Sequence, residues 1–480
     1  MPAWSQLIPF RHDTLAETRN YSTLPFASSD QEKPPMLTLQ QLQAKVAAQK
    51  TNLPALYGDV DFAIKPERFA DEPVLEGPSQ SKFDHMRPAL LADTEKVARM
   101  RAYTMLGDNV ADAYAALMPT YGFRGLIGML KQACDHGLES VPDAPPELVN
   151  FIRAMEATPD WVDMKLVEEG ARQSREDAAN YSPFVIRGAF IATFMNKYSA
   201  LPMALTGTLS GDTAARRVKD TASFFMTSTL PGALERFGPG FKSAAMVRLM
   251  HSMVRFNALK RSNIWNVDTF GIPIPQVDQM PAGLIGTFLL AFKITAKGRF
   301  EYTPVERARV ELSRYRCFLL GLPEELAPAT PKDMVDMMVL YEQTLRKGFD
   351  DATCGELTRA TLAAYLPPDE KLGSKIFDRI ERRFSKIFFL LSFLGGDNKK
   401  AAAMGVKIGA LDWATFIACS LFIGARKGFY ALGGAIPGLR RATDRMLVKK
   451  IERMLESYGH PAHTSDGTQY RPAIARQAAE

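Results

Sequence analysis

From about residue 94 to residue 350, apolar side chains recur at spacings of three and four, broken only where proline or glycine intervenes. Nowhere does the chain show an alternating run long enough to build a sheet. A chain with only helical periodicity must bury its apolar stripes against other helices, so the class is all-α. Its 480 residues allow two to four domains, or one large helical body with extensions. Hydrophobic residues at 46% and charged residues at 23% are ordinary globular values and sufficient for a large core. There is no internal repeat.

The expected organisation has four parts. Residues 1–93 form an extension rich in Pro, Ser and Ala, with one amphipathic helix over 37–49. Residues 94–345 form the main helical unit. Residues 346–457 form a C-terminal helical region, and 458–480 a polar, disordered tail. Within the main unit, Thr158 and Pro159 read as the cap and first turn of a helix over 158–173. Asp212 reads as the cap of a helix closing at Pro231-Gly232, and a third helix covers 240–261. The most apolar segment, 408–425, is interrupted only by Asp412 and is marginal for spanning a bilayer. It reads as a buried helix, with membrane contact as the alternative. The segment 385–396 reads as core.

The net charge of +6 and the pI near 8.9 suit anionic groups or a membrane surface without demanding either. No zinc-ligand pair, aromatic RNA-binding signature or basic arm points to nucleic acid. Cys134, Cys317, Cys354 and Cys419 are scattered, which argues against a disulfide framework or a thiolate zinc site. The first twenty residues lack a basic segment followed by an apolar run, so a reducing, cytoplasmic setting is the expectation.

Of six histidines, His12, His85, His136, His460 and His463 fall in the lead-in, before a proline, at a helix end or in the tail. Only His251 sits mid-helix, in RLMHSMVR, over a stripe of Ala244, Val247, Val254 and Ala258. It is either a core-edge histidine or a ligand. Arg248 and Arg255, at i−3 and i+4, disfavour imidazolium and keep the ring neutral, the form that binds metal. The same arginines can meet the carboxylates of a cofactor, or acids of a neighbouring helix. One ligand-grade histidine is too few for zinc, copper or non-haem iron, but it suffices for a haem, whose ring supplies four donors. On the preceding helix Arg217, Thr221, Phe224, Phe225 and Ser228 share a face. That face can hold a bound oxygen species or a cofactor edge; alternatively Arg217 pairs with Asp220 and Thr221 bonds back to its own helix.

The segment RRVKDTASFFMTSTLPGAL, followed by GFKSAAMVRLMHSMVR, resembles the core of the MpaB and rubber (latex-clearing) oxygenases. In that family an R-x-x-x-T step precedes an R-x-x-H-x-x-V-R helix. The stretches TPDWVDMKLVEEG (158–170), WNVDTFGIPIPQVDQMPAGLIGTF (265–288) and YRCFLLGLPEELAPATP (315–331) resemble further family motifs, so the likeness spans about 150–335. It implies a globin-like helical core binding haem b, with His251 as axial iron ligand and Arg248 and Arg255 beside the cofactor. It also implies an oxidoreductase using O2 on a small hydrophobic, isoprenoid- or lipid-like olefin, with C=C cleavage as the reaction.

Arg217 and Thr221 would then serve the distal side. Asp220 stands where rubber oxygenases carry a lysine, and is a candidate proton shuttle. No acid lies between Asp177 and Asp212, where those enzymes have a glutamate, and Pro275 replaces the family's asparagine. Two other readings stand beside this one: a non-catalytic helical binding protein of the same fold, which the missing lysine and glutamate favour, or a haem peroxygenase in which Arg217 polarises peroxide. Peripheral membrane contact is compatible with each.

Overall fold

The computed structural model describes residues 37–71, 83–206, 211–262 and 264–459. The expectations for residues 1–36 and 460–480, with His12, His460 and His463, lie outside them. Among the described residues the architecture is helical, and the β pairing amounts to an isolated bridge between Phe69 and Leu345.

Helix α1 (Leu39–Asn52) starts at a capping box in which Thr38 and Gln41 satisfy each other's backbone. It packs on α2 (Thr94–Thr104). A short helix, α3 (Asn109–Ala115), is capped by Asp108 and carries Ala111, Asp112, Tyr114 and Ala115 inward. Among the longer helices that follow are α4 (Met164–Asn180), α5 (Ser182–Ala192) and α6 (Gly211–Thr227).

The centre of the molecule is α7 (Pro239–Lys260), with proline in its first turn. It is apolar nearly all round, and accordingly it is buried nearly all round: Phe241, Ala244, Leu249, Met253 and Phe256 point in different directions and all lie inside. Helices α3 and α6 pack against it, as does α9 (Pro304–Leu319), which follows α8 (Gln276–Thr295). By length and composition α8 is apolar enough to cross a membrane, yet here it lies against α9 and α10 (Pro331–Thr344). Residues of α1 join this same core through Leu42 and Val46.

Small residues set two tight crossings. A Cβ at Gly170 of α4 would come 2.1 Å from the Ala308 carbonyl oxygen of α9, and one at Gly188 of α5 would come 2.6 Å from that of Ser385. Ser385 belongs to α11 (Leu372–Phe393). The second crossing is locked by buried Arg187, whose Nε donates to Glu381 at 2.8 Å and Nη2 to Asp378 at 3.1 Å. Its Nη1 donates to the carbonyls of Thr361 and Ala364 at 2.6 and 2.8 Å. The C-terminal pair α12 (Ala410–Ala435) and α13 (Pro437–Tyr458) then packs on α11 and α4.

Three boundaries differ from the sequence expectation. The helix expected from Thr158 begins at Met164, capped by Asp163. Residues 159–162 instead make a turn that lays Trp161 against the Arg314 guanidinium, 3.8 Å away. Helix α6 already includes Asp212, which therefore lies inside the helix and does not precede it. It ends at Thr227, where turns at Thr229 and Leu230 take over before Pro231. The segment 408–425 is not a buried helix: α12 packs along one side only, burying Ile423 and Tyr430, while Leu421 and Phe422 remain exposed. The 385–396 segment does supply core, through Phe389 and Leu390.

Gly170→Ala sets two effects against each other. Alanine in a helix interior gains about 1 kcal/mol over glycine. The methyl would meet a backbone oxygen that cannot rotate aside, an overpacking cost of about 1–3 kcal/mol, and more where backbone must shift. We expect net destabilisation, read as a lowered midpoint of urea unfolding; an unchanged or raised midpoint would show that the two helices separate freely.

Candidate functional site

The arginines of α7 are fully spoken for inside the protein. Arg248 donates Nε to Oδ2 of Asp108 at 2.6 Å and Nη2 to Oδ1 at 2.9 Å, with the Phe151 ring 5.2 Å from its guanidinium. Arg255 donates Nη1 to Asp112, whose other oxygen accepts the Tyr57 hydroxyl at 2.6 Å. The remaining nitrogens of Arg255 hold a loop: Nε donates to the Pro273 carbonyl at 2.9 Å and Nη2 to that of Ile274 at 2.6 Å. Ile274 sits at φ 46°, a conformation unfavourable for a β-branched residue, so the loop depends on this clamp. Gly321, at φ 82°, lies so close to the first pair that a Cβ would come 2.3 Å from Oδ2 of Asp108. The expected meeting of Arg248 and Arg255 with cofactor acids is therefore replaced by the alternative, neighbouring-helix carboxylates, because the Asp108 cap turns both acids of α3 toward α7.

What the clamped loop delivers is the start of α8. Gln276 receives a backbone anchor, its N–H donating to the Leu106 carbonyl at 2.9 Å. Its side-chain Nε2 donates to the Gly107 carbonyl at 3.3 Å, which turns its Oε1 toward Gln279. Gln279 donates Nε2 to that oxygen at 2.9 Å, and its own Oε1 faces Nδ1 of His251 at 3.1 Å. An amide oxygen only accepts, so this network assigns the imidazole hydrogen to Nδ1 and leaves the lone pair on Nε2. No described residue bonds Nε2. Metal-ligating histidines are held in this way, by a partner on the opposite ring nitrogen.

His251 is pulled down to about 4. Burial is the chief cause, the Gln279 hydrogen bond opposes it, and the charges of Arg255 and Arg217 add to it. The direction matches the sequence expectation while the main cause does not, since Arg248 is answered by Asp108, which pulls the other way. The other two described histidines, His85 and His136, are exposed. Among the described residues no three His, Cys, Asp or Glu side chains gather as a metal cluster.

Helix α6 packs beside α7 and brings the second group of residues. Arg217, Asp220 and Thr221 are half-buried there, and Phe224 and Phe225 meet edge to face at 5.2 Å. Burial pushes Asp220 up to about 6 against the opposing charges of Arg217 and Arg216. That range lets a carboxyl hold or release a proton near neutrality. Beneath Phe225 lies Arg316 of α9, buried, with Nη2 donating to the Phe225 carbonyl at 3.3 Å and Nε without a partner. Burial lowers its pKa to about 10, and no carboxylate among the described residues answers it. Sequence reading missed Gln276, Gln279, Asp108, Asp112 and Arg316. The two glutamines, three apart at a helix start, share a face and were legible as a pair; the others become visible only through tertiary contacts.

Compared with known proteins, residues 179–387 match the family model described as "ER-bound oxygenase mpaB/B'/Rubber oxygenase, catalytic domain". Among solved structures, that of the latex clearing protein LCP in its closed state is similar, at TM-score 0.50 and 19% identity. The alignment covers 73% of this chain and 91% of the other. At that identity the likeness speaks to the all-α fold alone. No curated protein matches the chain.

Two measurements test this geometry. Arg248→Met leaves Asp108 charged and buried, so it should cost about 3–5 kcal/mol in chemical unfolding. Adding Asp108→Asn, which keeps the helix cap, should return much of that loss; no recovery would mean that the pair is not the source. For His251, a folded pKa near 4 against about 6.5 unfolded means that the unfolded chain binds the extra proton between those values. Its contribution is complete above pH 6.5 and lost as pH falls toward 4. The stability difference between wild type and His251→Gln should therefore shift by about 2–3 kcal/mol across that window; a flat difference would put the histidine in solvent.

Proposed function

We propose, from the match of residues 179–387 to the MpaB and rubber-oxygenase family model, that the chain is a haem b-dependent oxygenase acting with O2 on a small hydrophobic, isoprenoid- or lipid-like olefin, with oxidative C=C cleavage as the reaction. The observation that carries the reading is His251 itself, a neutral ring whose Nδ1 hydrogen is committed to Gln279 and whose Nε2 lone pair is left over. That is the donor an axial position needs.

The residues present fit such a group on a second count. A haem brings carboxylates, and Arg316 is a buried cation that no carboxylate among the described residues answers, with its Nε orphaned there. Its burial without a counter-charge is costly unless an anion joins it. Arg248 and Arg255 would act indirectly, holding α3 and the 273–275 loop so that Gln279 stays on Nδ1. The chemistry a haem supplies when bound is redox activation of O2. The chain's own residues would keep the imidazole neutral, orient it, and handle protons: Thr221 with its hydroxyl on the shared face, and Asp220 as the group able to give up or accept a proton near pH 6.

One observation favours a second reading. Asp220, titrating near neutrality next to Arg217, is the kind of acid–base and cation pair that suits a peroxide. A peroxygenase of the same fold would need peroxide in place of O2. A non-catalytic binding protein would consume neither.

The decisive experiment is the visible absorption spectrum of protein expressed with haem supply. Wild type should show a strong Soret band, shifted or lost in His251→Ala, and Arg316→Met should retain the band position while binding haem more weakly. A wild type that stays colourless on haem titration would remove the reading. Consumption of O2 or of peroxide with an apolar olefin then separates the two catalytic forms.

A further inference from the structure

Helix α12 presents a face that no described residue covers. Along its 26 residues Leu411, Ile417, Leu421, Phe422, Phe429 and Leu432 are exposed, with Leu421 at 70%, Phe429 at 61% and Leu432 at 62%. At 1.5 Å per residue, Leu411 to Leu432 makes an apolar ridge of about 32 Å. Its charged residues all lie elsewhere on the helix: Asp412 is buried and takes Lys386 at 2.7 Å, Lys427 reaches Asp177 at 2.6 Å, and Arg426 is half-buried over Phe422. Apolar surface of this extent marks a contact with a protein or a membrane.

The charges around the ridge decide between those occupants. From residue 407 to 450 every exposed charged side chain is a cation: Lys407 before the ridge, then Arg441, Arg445 and Lys449 beyond it on α13. The acids in this stretch are neutralised internally, Asp412 by Lys386 and Asp444 by Arg175 at 2.7 Å. Both ends of the ridge are thus positive. A second copy docked across a two-fold would set cations against cations whichever way the helices ran. An anionic lipid surface meets the same rim favourably, since headgroup charge lies beside the acyl boundary.

Spanning is excluded by the other side of α12, which is tied down by Ile423, Tyr430 and the Asp412 and Lys427 ion pairs. We infer that α12 is a membrane-docking face, lying in the plane of an anionic bilayer with its apolar ridge among the acyl chains and Lys407, Arg441, Arg445 and Lys449 at the headgroups. The ridge lies beyond residues 179–387, so the family match does not supply it. It does not depend on the cofactor reading either.

The test is co-sedimentation of the full chain with phosphatidylcholine vesicles, with and without phosphatidylglycerol. Wild type should bind, and more strongly when phosphatidylglycerol is present. The doubly substituted Leu421→Asp, Phe429→Asp chain should lose binding to both vesicles while keeping its helical circular dichroism and melting midpoint, since both residues are exposed. Arg441→Glu with Arg445→Glu should lower affinity for the anionic vesicles by about tenfold or more and leave neutral vesicles unaffected. Wild type remaining in the supernatant with both vesicles would overturn the proposal, as would undiminished binding by the aspartate variant. A wild-type dimer that the aspartate variant dissolves, with no vesicle binding, would overturn it in favour of a contact between copies.

Discussion

Two buried ion pairs, Arg248 with Asp108 and Arg255 with Asp112, are what the rest of the centre depends on. Neither is an economical way to hold helices together, since desolvating four charges costs roughly as much as their attraction returns. Their value is directional. An apolar interface between α3 and α7 would tolerate sliding or rotation, whereas two guanidinium–carboxylate pairs one and two turns apart admit a single register. Arg255 then extends that register outward, because the nitrogens not used on Asp112 grip the carbonyls of Pro273 and Ile274. The start of α8, and with it the glutamine on the histidine, is placed by a residue that touches neither.

The motifs that carry the resemblance to the MpaB and rubber oxygenases turn out to be mostly this supporting frame. Gly321 of the leucine-glycine-proline stretch is glycine because Asp108 and Arg248 occupy the space a side chain would take. Trp161 of the upstream stretch is laid on Arg314, and Trp265 donates to the Gly271 carbonyl at 2.8 Å, closing the turn before the clamped loop. Each of these residues answers a packing problem within this chain, and none of them touches His251.

The helical class and the mid-helix place of His251 could be read from periodicity and position alone. The fate of its flanking arginines could not, because spacing along one helix says nothing about which charge the neighbouring helix presents. The same blindness applies to Arg316: in sequence it is one arginine among several in a basic helix, and only burial with no acid nearby sets it apart. Helix α12 was misjudged for a related reason. Composition measures how apolar a segment is, whereas burial depends on how many sides find partners.

Gln49 carries a consequence that reaches beyond the site. Completely buried near the end of α1, it donates to the Met105 carbonyl at 2.9 Å and accepts the Gly107 N–H at 2.8 Å. Gly107 offers its carbonyl to Gln276, so one peptide segment is gripped from both sides by amides more than two hundred positions apart in the chain. The first helix is thus a structural cofactor in its own right. A shortened chain that begins after it would retain every residue of the proposed haem site and yet lack the hand that steadies it.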